Sequence, residues 1–261
     1  MKKLFSALWV GLVFLFLYFP ILVMVAFSFN STTSKSVFTG FSLKWYAELF
    51  SDPKLMGALG NTLLVAVLSA IIATVIGTAA AIGIYNMNSV ARKFIMNVTL
   101  IPNVNPEIVT GVSLMLLFVF LKLEFGFTTL ILSHITFCVP YVILNVMPKL
   151  RQMNRNLCEA AADLGCNQLQ VFSKVMVPEI MPGILSGFLM SLTYSIDDFV
   201  ISYFTHGASA QTLSITIFSM TRRKVSPEVN ALSAIIFVVV LTILLIVNIV
   251  DIKKHEKEAR R

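Results

Sequence analysis

KLRQMNRNLCEAAADLGCNQLQVFSKVMVP, residues Lys149–Pro178, is a polar island in an otherwise greasy chain. Inside it Glu159-Ala160-Ala161 is followed by Gly165, and Gly165 in turn by Val175, Val177 and Pro178. Asn156 with Glu159 three residues on reads as a helix start, a variant of the capping box. Ala160, Ala161, Ala162 and Leu164 are strong helix formers, and Gly165 suits the left-handed residue that ends a helix. Asn167 and Gln170 repeat the capping pattern for a second helix. That helix is expected to end near Pro178, with Pro182 in the first turn of the next span. The island thus predicts two short helices meeting at Gly165. Ala161 and Gly165 leave little bulk on one face, while Glu159 and Asp163 offer carboxylates on another. A pair of this kind, held against a membrane body, fits docking into the cleft of a soluble partner. An ordinary amphipathic surface loop is the plainer alternative.

Outward from the island the chain is apolar. Of its 261 residues 57% are hydrophobic and 13% charged, with a mean hydropathy of +0.86. That is too few polar residues to clothe a soluble domain of this length. A bilayer-crossing helix needs about 20 mostly apolar residues. Six stretches meet that test: 7–29, 60–85, 95–120, 127–147, 180–204 and 229–251. Pro102, Pro106 and Pro140 interrupt the third and fourth. The first is longer than the apolar region of a signal peptide and runs through Tyr18-Phe19-Pro20 without a small-residue cleavage site, so it is expected to be kept. The expected fold is an all-α membrane protein of six transmembrane helices, residues 1–261 forming one domain with 149–178 as a loop within it.

Lysine and arginine give the orientation. With both termini in the cytoplasm, 13 of the 20 basic residues fall inside, including those of 86–95 and 149–178. Arg222-Arg223-Lys224 disagrees, and 205–228 is where this topology would fail, for instance by a re-entrant fold. The net charge of +7 then means attraction to anionic lipid. No basic–aromatic array marks a nucleic-acid surface. Cys158 and Cys166 share the cytoplasmic loop, where a disulfide is not expected. His134 and Cys138 lie one turn apart, too few ligands for zinc.

Three acids fall within apolar spans: Glu107, Asp197 and Asp198. An ionised acid at bilayer depth costs roughly 2.5–3.5 kcal/mol on insertion scales, so each should face a wet cavity, a neighbouring helix or a cation. On a continuous fifth helix Ser191, Ser195, Asp198 and Ser202 form one polar stripe, and Asp197 points about 100° away. Asp198 is the first candidate to line a path for a cation. Asp197, Glu107, Ser195 and Tyr194 follow it, the last (like Tyr203) through its ring face. Helix-to-helix hydrogen bonds are the alternative role. An aspartyl protease is excluded, because its two carboxylates must meet at about 3 Å and neighbours on one helix diverge. No serine–histidine pairing, His-Glu-x-x-His stretch or Gly-x-x-x-x-Gly-Lys-Ser/Thr phosphate loop occurs. No catalytic residue, metal site or cofactor is therefore expected on this chain, and any energy must come from a partner.

Glu159-Ala160-Ala161, Gly165 and the ending at Val175, Val177 and Pro178 resemble the EAA motif of the permease subunits of bacterial ABC importers. Ser133–Pro140, Ser195-Ile196-Asp197-Asp198, Val225–Ala231, Phe29-Asn30-Ser31 and Leu43-Lys44-Trp45-Tyr46 resemble the spermidine/putrescine permeases within that family, the second, C-type subunit. The resemblance spans the whole chain. It implies the type I importer (MetI-like) fold and a bacterial cytoplasmic membrane location. It implies that 157–165 is the coupling helix, with Glu159, Ala160, Ala161, Asp163 and Gly165 against the ATPase. It further implies two ATPase copies carrying ATP and magnesium, a homologous second permease, an extracytoplasmic polyamine-binding protein, and alternating access driven by ATP. Another small solute, ferric iron or thiamine for example, or a scaffold subunit without a pore, remains the alternative reading.

Overall fold

Apolar length decides where the long helices lie. The computed structural model describes residues 2–34, 37–223, 227–238 and 241–242. Helix α1 (Lys2–Ser28) is followed by a short α2 (Lys44–Ser51), then α3 (Pro53–Asn86), α4 (Ser89–Val104), α5 (Glu107–Phe120) and α6 (Phe127–Gln152). The island forms α7 (Arg155–Asp163) and α8 (Gln168–Val171), and a π-turn (Phe172–Met176) leads into α9 (Val177–Asp197). Short α10 (Val200–Thr205), α11 (Leu213–Arg223) and α12 (Pro227–Val238) complete the described chain.

Among the described residues four helices are long and apolar enough to cross a bilayer: Leu8–Ser28, Pro53–Asn86, Phe127–Gln152 and the composite Gln168–Asp197. The expected third span is not one rod. It is α4 and α5, bent by 102°, and counting this pair as one broken span brings the number among the described residues to five. The cause is local. A residue before proline is pushed out of the helical region, and Asn105, ahead of Pro106, has ψ 142°. The sixth expected stretch, 229–251, begins in α12, but 239–240 and 243–251, like 224–226 and the basic tail, lie outside the described residues.

The chain forms two compact units, one of residues 1–56 with 217–261 and one of 57–216. In the first, Trp9, Phe16 and Leu22 of α1 are exposed, as suits a helix meant for lipid or a partner subunit. Its 29–46 loop closes on buried Asn30. The Asn30 amide nitrogen donates to the Ser34 and Val37 carbonyls, its oxygen accepts from the Thr39 amide, and its own carbonyl accepts from the Trp45 indole at 2.6 Å.

In the second unit α6 is the hub, and small residues let its neighbours come close. Val142 of α6 is gripped between glycines of two helices. A Cβ built on Gly77 of α3 would stand 2.6 Å from the Val142 Cβ, and one on Gly187 of α9 3.1 Å from the Val142 Cα. Gly183, one turn earlier, meets the Asn145 carbonyl. Around this crossing Ala81, Ile84, Val146, Leu150 and Ile180 are buried together. Gly187→Leu is expected to force α6 and α9 apart, with Gly187→Ala already costing about 1–3 kcal/mol through overpacking. Thermal unfolding of the purified, assembled protein checks this, and a Gly187→Leu protein as stable as the parent would contradict the packing described.

Candidate functional site

The island keeps the two-helix shape expected of it, with two changes. The first cap is Asn154, not Asn156: the Asn154 side chain accepts from the Asn156 amide at 3.1 Å. An N-cap must stand outside the helix, and α7 has already begun at Arg155. The helix ends as expected. Gly165 has φ +88°, its amide donates to the Ala162 carbonyl, and the Cys166 amide donates to the Ala161 carbonyl. These are the paired bonds of a Schellman ending. Asn167 and Gln170 exchange side-chain-to-amide bonds, both at 2.9 Å, to start α8.

The second change is that this helix does not stop near Pro178. Proline has no N–H and crowds the carbonyl four residues back. A π-turn widens the helix there, with Val177 donating to the Phe172 carbonyl, and the chain runs on into α9. Pro182 consequently lies inside α9, not at its start. The island and the span are thus one lever: a push on α8 reaches α9 without crossing a loop. Glu159, Ala160, Asp163 and Gly165 are exposed and Ala161 half-buried. Leu157, Leu164 and Leu169 are exposed too, Leu164 by 86%. These exposed leucines stand on the same short loop as the exposed carboxylates of Glu159 and Asp163.

The membrane-depth acids separate into two groups. Asp198 is 8% exposed, and the expected continuous fifth helix breaks at it, since its ψ of 126° is extended. The carboxylate accepts from the Ile201 amide at 3.2 Å and the Ser202 amide at 2.7 Å, so it starts α10. His134 of α6, 1% exposed, lies 3.5 Å from the same carboxylate. Its two ring nitrogens share hydrogen bonds with Ser195 at 2.6 Å and Ser202 at 3.0 Å. Ser191 and Cys138 bond to each other's carbonyls just below. The serine stripe read from the sequence is therefore real as a buried face, and its partner is α6.

Asp197, Glu107 and Tyr194 are exposed instead. Glu107 is the first residue of α5, where a carboxylate is favoured by the helix dipole. The Tyr194 ring stacks on Tyr141 of α6, with centroids 4.4 Å apart, and Phe137 stands edge-on to both. Asp197 follows Tyr194 by three residues, on the same side of α9. Tyr141 and His134 owe these contacts to the α6–α9 crossing, which no residue spacing within one helix reveals.

Residues 73–252 match the family described as binding-protein-dependent transport system inner membrane component. The chain belongs to that family. This permease is 36% identical over 233 residues to the spermidine/putrescine transport system permease protein PotC of Escherichia coli K12, covering 89% of this chain and 88% of that one. It is 41% identical over 231 residues to the putrescine transport system permease protein PotI of the same organism, covering 85% and 82%. The Haemophilus influenzae PotC protein is 35% identical, covering 93% and 95%. In three dimensions the permease is similar to a chain of a bacterial ABC transporter involved in the import of alginate, with a TM-score of 0.74, 16% identity, and coverage of 96% of this chain and 95% of that one. At that identity the likeness is one of fold. The permease is an all-α membrane protein of the ABC-importer type and a transport subunit.

Proposed function

We propose that this permease moves polyamines, spermidine or putrescine, across the cytoplasmic membrane as one half of an importer channel. It works with a homologous second permease, two ATPase subunits and an extracytoplasmic binding protein. ATP and magnesium sit on the ATPases. The termini and the 149–178 loop face the cytoplasm, where Glu159, Ala160, Ala161, Asp163 and Gly165 meet the ATPase. Residues 1–261 act as a single permease domain. Besides the relatives named above, the observation that carries the cargo reading is the stacked Tyr141–Tyr194 pair, with exposed Asp197 three residues on from Tyr194 and exposed Glu107 at the start of α5. A flexible chain with ammonium groups along it is matched by ring faces and carboxylates in alternation, each ammonium–ring contact contributing about 0.5–2 kcal/mol. Asp198 and Ser195 act one step back, by fixing the helix break that presents Asp197 and Tyr194.

Closure of the ATPase pair moves α7, and the π-turn passes the movement into α9 as a rigid-body shift of the tyrosine face. The test is uptake of radiolabelled putrescine and spermidine in a strain without its own polyamine importers, supplied with this chain and its partners. Uptake of either is expected; uptake of neither, with the complex assembled, would overturn the cargo. Asp197→Asn and Tyr194→Leu are expected to raise the apparent KM roughly 2- to 30-fold with the amount of assembled protein unchanged.

A further inference from the structure

Three basic side chains converge where α3 ends at Asn86 and α4 begins at Ser89. Arg92 and Lys93 come from the start of α4, and Arg151 from the last turn of α6. With Ser89, Met96 and Asn97 they line a cavity of about 290 Å³. Met96 and Arg151 also wall a second cavity of about 310 Å³, lined otherwise by Leu144, Met147, Pro148 and Gln152. A basic recess and a mostly apolar one therefore share a wall.

Among the described residues no carboxylate pairs with Arg92, Lys93 or Arg151. Arg92 is held without being discharged: its terminal nitrogen donates to the Met87 carbonyl at 2.7 Å and its guanidinium lies 5.8 Å from the Tyr85 ring. Its Nε is buried and has no hydrogen-bond partner, a rare state for a strong donor. Arg92 is half-buried while Lys93 and Arg151 are exposed at the rim, and an anion shared among them would relieve their mutual repulsion. The positive end of α4 adds to the same field.

Depth selects among anions. Asn86 and Gln152 close two membrane-length helices, so the recess lies at the level of lipid headgroups, where basic pockets between helices take anionic lipid. A free phosphate would fill the basic cavity and leave the apolar one to water; a phospholipid fills both. The geometry points to a binding site for the phosphate headgroup of an anionic phospholipid. Arg92, Lys93 and Arg151 hold the phosphate, and the glycerol and first acyl carbons lie along Met96, Leu144 and Met147. Bound there, the lipid ties α4 to the end of α6, immediately before the α7 lever.

The test uses the complete transporter, purified in an uncharged detergent and stripped of lipid. Its unfolding temperature is followed on addition of dioleoylphosphatidylglycerol, dioleoylphosphatidylcholine or inorganic phosphate at matched concentrations. A saturable rise with phosphatidylglycerol alone is expected. It should fall by at least about half in the Lys93→Gln/Arg151→Gln double variant, and persist in Lys54→Gln at the other end of α3. Arg92, which also holds Met87, is left in place so that folding is not at stake. An equal rise with phosphatidylcholine would remove the charge selectivity, and with it the proposal. An equal rise with inorganic phosphate would replace the lipid by a soluble anion. A rise undiminished in the double variant would put the lipid elsewhere.

Discussion

Asp198→Ala is expected to destabilise the permease by about 2–5 kcal/mol, because two buried amide N–H groups lose their acceptor at about 1–3 kcal/mol each. The substitution strands the Ile201 and Ser202 amides and removes the carboxylate facing His134. A buried polar group left without its partner carries its full desolvation cost. Asp198→Asn should be milder, since its carbonyl oxygen still accepts one amide bond. The two variants separate a brace from a cargo contact. If Asp198 braces, the amount of folded permease in membranes falls from Asn to Ala, and transport per folded molecule stays near the parent. A cargo contact gives the reverse, with normal folding and a raised KM in Asp198→Asn. His134→Leu should reproduce the loss on its own and add little to Asp198→Ala, because partners in one network are not additive. Independent, fully additive losses would mean that the two residues do not act through each other.

The contrast between Asp198 and Gly165 explains what could be read in the sequence. The caps at Gly165 and Asn167 are settled within a few residues, so residue type and spacing suffice. The first, second and fourth spans were legible for a similar reason, since apolar length is a property of each stretch alone; the third is bent and the fifth ends at Asp197. The break at Asp198 is capped locally by the Ile201 and Ser202 amides, but the partner that buries this face is His134, 61 and more residues from the serines it bonds. A helical wheel drawn through 180–204 put the serine stripe on the right side but had no means of showing that the helix stops. Asp197 was placed away from the stripe by the same wheel, and its exposure follows. Tyr141 was invisible as a site residue because its partner Tyr194 arrives only through the Gly183–Gly187 crossing. Pro178 was read as a stop because proline usually is one. The π-turn is the less common answer to the same missing N–H.

The other large effect is expected in the 149–178 lever. Glu159→Lys places a cation where a carboxylate now stands exposed on α7. Reversing a charge at a docking surface costs about 2–5 kcal/mol when its partner is buried on binding, so uptake is expected to fall by about tenfold or more. Among the described residues no ion pair or side-chain hydrogen bond engages Glu159, and insertion into the membrane should be unchanged. Gly165 gives an independent handle. No atom lies within 4 Å of a Cβ built there, so space is free, but φ is +88°. A β-branched residue resists that conformation at about 1–2 kcal/mol, whereas asparagine visits it readily. Gly165→Val should therefore unwind the end of α7 and depress uptake, while Gly165→Asn keeps most of it. Uptake, ATPase activity of the purified complex and the amount of ATPase retained by the permease are the three readouts. Loss of ATPase retention in Glu159→Lys and Gly165→Val, with retention kept in Gly165→Asn, is the pattern of a backbone-defined docking helix. If all three variants hold the ATPase and transport normally, α7 is a surface loop, and the force that reopens the tyrosine face must enter the permease somewhere else.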